Sequence, residues 1–96
     1  MNLSVTKEAA QWYKTELNLQ SNETLRFFVQ YGGCSTVQKG LSLGIRKDDP
    51  AHPAVQIQEE GINFFIESDD EWFFDGHNLS VTLNEGDDFP QFNYEK

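Results

Sequence analysis

The stretch Tyr31-Gly32-Gly33-Cys34-Ser35 decides the fold, because it lies between two segments of alternating apolar and polar residues. In residues 25–31, and again in 41–46, apolar side chains occupy every second position, which is the period of a half-buried strand. Paired glycines adopt positive φ without Cβ strain and let a ligand or another backbone approach closely. The pattern therefore predicts two strands joined by a glycine-led loop.

Cys34 is the single cysteine of the chain, and the residues around it leave two interpretations open. A free cysteine is often a small buried hydrophobic residue with no chemical role. A thiol held at the tip of a glycine-rich turn can instead act as a metal or cofactor ligand, since the thiolate is the form that binds metals. The two glycines before Cys34 favour the second interpretation.

The run from Phe28 to Ser35, followed by Gln38, Gly40, Leu41 and a strand, resembles the Gly-Gly-Cys-Ser-Gly segment of the HesB-like family, the A-type iron–sulphur carriers. The resemblance extends along most of the chain. A Thr-x-x-Ala helix opening, a Glu-Gly-Ile hairpin where the family has Asp-Gly-Val, and a short apolar helix follow in family order.

This resemblance implies a mostly β, β-rich α+β fold: a two-layer sandwich or flattened barrel with an N-terminal helix and one short helix, as a single domain of residues 1–96. It also implies a small, non-enzymatic protein of iron–sulphur cluster biogenesis. The protein would carry iron or a labile iron–sulphur cluster through Cys34 as cofactor and metal ligand, with Gly32 and Gly33 shaping the loop. The implied partners are iron–sulphur assembly proteins, acceptor proteins and a second copy in a homodimer.

The chain departs from the family pattern at two places. Family carriers have two further cysteines near the C-terminus as Cys-Gly-Cys, whereas residues 92–96 contain neither, and Thr36 stands where the family usually has glycine. A [2Fe–2S] cluster is ordinarily held by four thiolates, and a symmetric dimer of this chain has two. The alternative hypothesis is therefore an adaptor or binding protein that keeps the fold and has lost cluster binding. A thiol redox enzyme is the least favoured class, because no second cysteine resolves an intermediate.

Charge is distributed unevenly along the 96 residues, whose formal net charge is −9. Residues 1–47 contain six Lys and Arg against three Asp and Glu, whereas residues 48–96 contain one against thirteen. Nucleic-acid binding needs a basic patch to neutralise phosphates, so this function is excluded. The acidic half is typical of a solvated face, or of a surface that attracts basic partners.

The absence of long apolar runs and of a basic secretory start argues against membrane insertion and export. A single cysteine cannot form an internal disulfide. We therefore expect a cytoplasmic protein.

Local signals predict the remaining elements, for a total of about six or seven strands. Thr6 is suited to cap a helix that runs to about Leu17. The Glu59-Glu60-Gly61 connection predicts a hairpin, and alternation predicts a strand at residues 79–83 and an edge segment at 89–94. A capping box of Ser68 and Glu71 predicts a short helix at about residues 69–74.

Several aromatic and histidine side chains are expected to be structural rather than functional. Trp12, Phe27, Phe64 and Trp72 each lie on the apolar side of a predicted element, so we expect them in the core. His52 lies between Ala51 and Pro53 in the loop of residues 47–53 and is expected to be solvated.

Overall fold

Seven strands and two helices make up the computed structural model, which describes residues 1–33, 35 and 37–96. In chain order they are β1 (Leu3–Val5), α1 (Lys7–Glu16), β2 (Thr24–Tyr31), β3 (Leu41–Lys47), β4 (Pro53–Glu59), β5 (Ile62–Glu67), a 3₁₀ helix (Ser68–Phe74), β6 (Asn78–Thr82) and β7 (Gln91–Glu95). The predicted β-rich class, with an N-terminal helix and one short helix, is confirmed.

Helix α1 begins where the sequence predicts. The Thr6 hydroxyl accepts a hydrogen bond from the backbone N–H of Ala9 at 3.2 Å, which satisfies one of the unpaired donors of the first turn. The helix buries Ala9, Ala10 and Tyr13. Its last turn ends at Leu17, whose N–H donates to the carbonyl of Tyr13 at 2.9 Å. Ala9, Ala10 and Tyr13 therefore form the face of α1 that packs against the core.

A four-stranded sheet in the order β3-β2-β5-β4 forms one layer. Strand β2 is antiparallel to β3 and parallel to β5. The predicted hairpin is present as β4 and β5, with Glu60 (φ +53°) and Gly61 (φ +76°) at its turn. Two positive φ angles are what a tight hairpin turn requires.

A three-stranded sheet in the order β1-β6-β7 forms the other layer. Leu3 lies opposite Leu79 in the parallel pair β1–β6, and Val81 lies opposite Phe92 in the antiparallel pair β6–β7. Strand β7 is thus an edge strand, as the sequence predicts for the C-terminal segment. None of the helices in the described part of the chain is long and apolar enough to cross a membrane.

Aromatic rings join the two sheets and the helices into one core. The rings of Phe27 and Phe64 stack with centroids 5.8 Å apart, and Tyr13 of α1 contacts both. Phe92 of β7 meets Phe27 edge-on at 5.8 Å. Tyr94 contacts both phenylalanines of the 3₁₀ helix. Phe27 and Phe64 are fully buried, as predicted, and Trp12 is partly buried against the core.

The prediction that Trp72 lies in the core is wrong, because its side chain is 58% exposed. Successive residues of a 3₁₀ helix point about 120° apart, so three consecutive aromatic residues cannot all face the core. Phe73 and Phe74 are buried and Trp72 faces solvent.

The predicted capping box is also wrong. The 3₁₀ helix starts at Ser68 with Glu67 before it, and no side-chain hydrogen bond caps its described first turn. The Glu67 carboxylate instead accepts the backbone N–H groups of Ala51 and His52, each at 2.8 Å. The backbone N–H of Ser68 donates to the carbonyl of His52 at 2.9 Å. The loop before β4 thus takes the place of a local cap.

A second polar cluster fixes the position of the 3₁₀ helix on the four-stranded sheet. Arg26 of β2 contacts Asp70 at 2.8 Å and Asp48 at 3.3 Å. The side chains of Arg26 and Asp70 are both largely buried. This charge-assisted bond ties the helix to β2.

Candidate functional site

The loop between β2 and β3 contains the residues that the sequence singles out. Gly32 and Gly33 have φ angles of +95° and +69°, a region that favours glycine. The N–H of Gly32 donates to the carbonyl of Gly40 at 3.0 Å, and the Ser42 hydroxyl donates to the carbonyl of Gly32 at 2.9 Å. A Cβ at Gly33 would lie 3.0 Å from the Ser42 oxygen. The glycines therefore permit both the turn and its close contact with β3.

Cys34 and Thr36 lie outside the described residues, so the role assigned to the thiol stays a prediction. The hydroxyl of Ser35, which lies between them in sequence, accepts a hydrogen bond from the backbone N–H of Gln38 at 3.1 Å and donates one to the Gln38 carbonyl at 3.0 Å. The Gln38 side-chain amide donates to the carbonyl of Phe73 at 3.4 Å. The loop is thus joined to the end of the 3₁₀ helix.

A cleft of about 330 Å³ opens beside this loop, between the edge strands β3 and β7. Its lining consists of Ser35, Ser42, Leu43, Phe89, Pro90, Gln91, Phe92 and Tyr94. Burial raises the pKa of Tyr94 to about 12, so its phenol remains neutral. Among the described residues, the lining is mainly apolar, with hydroxyl groups and the Gln91 amide but no carboxylate, imidazole or amine.

The two histidines lie at opposite ends of the 3₁₀ helix. The backbone of His52 contacts Glu67 and Ser68 at its start. The ring Nδ1 of His77 lies 2.8 Å from the carbonyl of Phe74 at its end. Within the described ranges, no three His, Asp or Glu side chains converge as a metal site. A cluster bound through Cys34 would therefore need further donors, from a second copy, a partner or a small thiol.

A larger depression of about 510 Å³ lies elsewhere, lined by Asn22, Glu23, Thr24, Lys47, Asp48 and Asp49. Lys47 pairs with Glu23 at 3.3 Å, and Asp48 pairs with Arg26 at 3.3 Å. These charges already satisfy one another within the chain. We therefore regard the cleft beside the Cys34 loop as the better candidate site.

Two exposed aromatic side chains near the loop were not predicted as functional. Tyr31 is 95% exposed although it continues the alternation of β2, and Phe89 is 58% exposed before the buried Pro90. The sequence signal for Phe89 is its position in an acidic segment next to proline. The sequence could not show that residues 89–94 lie across a cleft from residues 42–43, because these two segments are far apart along the chain.

Comparison with known proteins places the chain in a family. The model of the family "Iron-sulphur cluster biosynthesis" matches residues 1–93. The chain is 50% identical, over 99% of its own length and 100% of the relative's, to a protein of Bacillus subtilis strain 168 named "Pyruvate dehydrogenase inhibitor". It is 31% identical to an uncharacterised protein of Staphylococcus saprophyticus, over 92% of this chain and 93% of the other.

The fold is also similar to a solved structure, that of Escherichia coli SufA, which is described as involved in the biosynthesis of iron–sulphur clusters. The TM-score is 0.60 at 16% sequence identity, and the match covers 96% of this chain and 79% of the other. At that identity the likeness concerns the fold alone. The family match agrees with the HesB-like resemblance of the Cys34 region and with the strand-rich fold. The chain therefore belongs to the iron–sulphur cluster biosynthesis family.

Proposed function

We propose that this chain is a non-enzymatic regulatory protein that inhibits a pyruvate dehydrogenase complex by binding to it. The observation that carries the proposal is 50% identity, over the full length of both chains, to the B. subtilis protein named as an inhibitor of that enzyme. An adaptor of this kind keeps the family fold and uses its surface rather than bound metal, which agrees with one cysteine in the whole sequence.

The geometry of the candidate site is compatible with this role. A few large side chains that fill pockets carry most of the binding energy of a protein interface, and the cleft between β3 and β7 presents the exposed Phe89 beside an apolar lining. General acid–base catalysis needs a titrating side chain within reach of the reacting atoms, and the described residues of the lining include no carboxylate, imidazole or amine.

The first experiment measures NADH formation by a pyruvate dehydrogenase complex purified from the organism that carries this chain. We expect inhibition that rises with the concentration of the chain and saturates as the complex becomes fully bound. E. coli SufA, which has a similar fold at low identity, is the control and should not inhibit. Full activity in a large molar excess of the chain, with no binding by sedimentation, would contradict the proposal.

A second candidate function is the carriage of iron or a labile iron–sulphur cluster through Cys34, delivered to or received from assembly and acceptor proteins. The family match over residues 1–93 favours it, as do the two positive-φ glycines that precede the thiol. One thiolate per chain cannot complete the ligand set of a cluster. A homodimer would supply two, and the other donors would come from a partner or a small thiol.

Anaerobic reconstitution of the wild type and of Cys34→Ser tests this second function. We expect a weakly held chromophore that the wild type loses on desalting and that Cys34→Ser never forms. We also expect Cys34→Ser to inhibit pyruvate dehydrogenase like the wild type, because the proposed inhibition uses surface contacts. A chromophore that persists in the serine variant would exclude Cys34 as the ligand. Loss of inhibition in that variant would instead tie inhibition to the thiol.

A further inference from the structure

The cleft lies where the edges of the two sheets are left apart. On one side of the sandwich, β1 lies against β4, whereas on the other side the edge strands β3 and β7 border an open cleft. Leu43, Phe92 and Tyr94 contribute apolar surface to it. Phe92 is held from beneath by its edge-on contact with Phe27. The aromatic part of this surface is thus fixed by the core and is preformed for binding.

Phe89 is the exposed aromatic side chain of this surface. It is 58% exposed, and the Pro90 that follows it is buried. The carbonyl of Phe89 accepts a hydrogen bond from the Gln91 side-chain amide at 2.9 Å, which supports the backbone at the rim. Aromatic side chains that anchor a protein interface typically stand beside an apolar pocket in this way.

The rim that carries Phe89 is acidic. Residues 84–95 contain four Asp and Glu and no Lys or Arg. The carboxylate of Asp87 accepts a hydrogen bond from the backbone N–H of Asn84 at 2.9 Å. Glu85 and Asp88 are exposed to solvent. Lys39 is the one charged residue between positions 35 and 43, the segment that contributes Ser35, Ser42 and Leu43 to the lining. We therefore expect the cleft and the acidic segment that leads to Phe89 to attract positive charge.

The backbone around the cleft favours an extended occupant. Strands β3 and β7 are each at the edge of their sheet and pair on one side with another described strand. An edge strand can accept an added strand through main-chain hydrogen bonds, while side chains of the added segment enter neighbouring pockets. A volume of about 330 Å³ is at the lower limit of small-ligand sites, roughly 300–1,000 Å³, and the cleft is bordered by strands rather than enclosed.

We infer that the cleft between β3 and β7 binds an extended, basic segment of the inhibited enzyme complex, with Phe89 as the apolar anchor and Glu85 and Asp88 as the electrostatic guide. This inference rests on the proposed function and identifies the surface that carries it out. The partner segment would contain Lys or Arg beside at least one apolar residue, to match the acidic rim and the aromatic lining.

The test compares the affinity and association rate of variants for the purified pyruvate dehydrogenase complex by surface plasmon resonance. We expect Phe89→Ala to bind about 30-fold more weakly, the effect of removing an interface hot spot. The matched control is Trp72→Ala, which removes an equally exposed aromatic residue, 58% in both cases, away from the cleft. It should bind like the wild type.

A second variant, Glu85→Lys with Asp88→Lys, tests the charge. We expect its association to slow by roughly fivefold at low salt, with a smaller difference at high salt, because rim charges act mainly through steering. Melting temperatures near that of the wild type would show that both variants fold. If Phe89→Ala is unstable, an association rate of the double charge variant equal to that of the wild type at low salt would by itself contradict the acidic guide.

The outcomes separate the inference from the proposed function. If the wild type neither binds nor inhibits the complex, both are wrong. If the wild type inhibits and both cleft variants bind as it does, or if Trp72→Ala alone loses affinity, the inhibitory role stands and the cleft is not the surface. If Phe89→Ala instead converts a dimer into a monomer without changing affinity for the complex, the occupant is a second copy and the inference is wrong.

Discussion

Replacing Phe64 with alanine is expected to lower the free energy of unfolding by about 3–5 kcal/mol, the usual cost of truncating a buried phenylalanine. Phe64 is fully buried on β5, stacks on Phe27 at 5.8 Å and contacts Tyr13 at 6.1 Å. Its removal would leave a cavity where α1 packs against the four-stranded sheet, and the rings around it cannot all move to fill the space.

Thermal and urea unfolding of the wild type and Phe64→Ala measure this effect. For a domain of this size each kcal/mol shifts the melting temperature by about 4–8 °C, so a loss of about 3–5 kcal/mol corresponds to a decrease of about 12–40 °C. Trp72→Ala serves as the control, because its ring is 58% exposed, and should cost less than about 1 kcal/mol. An equal loss in the two variants would show that the core does not lie between α1 and β5.

Glu67→Ala is expected to destabilise the fold by about 1–3 kcal/mol, because it leaves two backbone donors without their acceptor. Glu67 is 8% exposed, and its carboxylate binds the N–H groups of Ala51 and His52 at 2.8 Å each. The control is Glu71→Ala, which removes an exposed carboxylate from the following turn and should change stability by less than about 0.5 kcal/mol. Equal effects of the two substitutions would contradict the structural role of Glu67.

The same carboxylate makes stability depend on pH. The backbone hydrogen bond from His52, then that from Ala51, lowers the pKa of Glu67 below its ordinary value of 4.5. Because the folded pKa is the lower one, this contribution is fully present above about pH 4.5 and is lost as the pH falls through the folded pKa. We expect Glu67→Gln to reduce the decrease in stability below pH 4.5, as measured by urea unfolding at several pH values. An unchanged acid dependence would show that Glu67 is not part of it.

Most secondary structure could be predicted from the sequence because its signals are local. Thr6 caps α1, Gly61 turns the hairpin between β4 and β5, and the alternation of apolar residues marks β2 and β3. These features depend on φ and ψ preferences and on the period of two in a strand. The 3₁₀ helix was also expected near its actual place, although its cap and its outward-facing tryptophan were not.

The sequence by itself determined the β-rich class, the glycine-led loop before Cys34 and the likeness to a cluster-biosynthesis family, because each depends on residues close together in the chain. Only the tertiary structure decided the exposure of Trp72, the use of Glu67 by Ala51 and His52, and the cleft beside the loop. Leu43 and Phe92, which belong to different sheets, both line that cleft. Such contacts arise from the packing of distant segments, and no local pattern of residues encodes which segments will be neighbours.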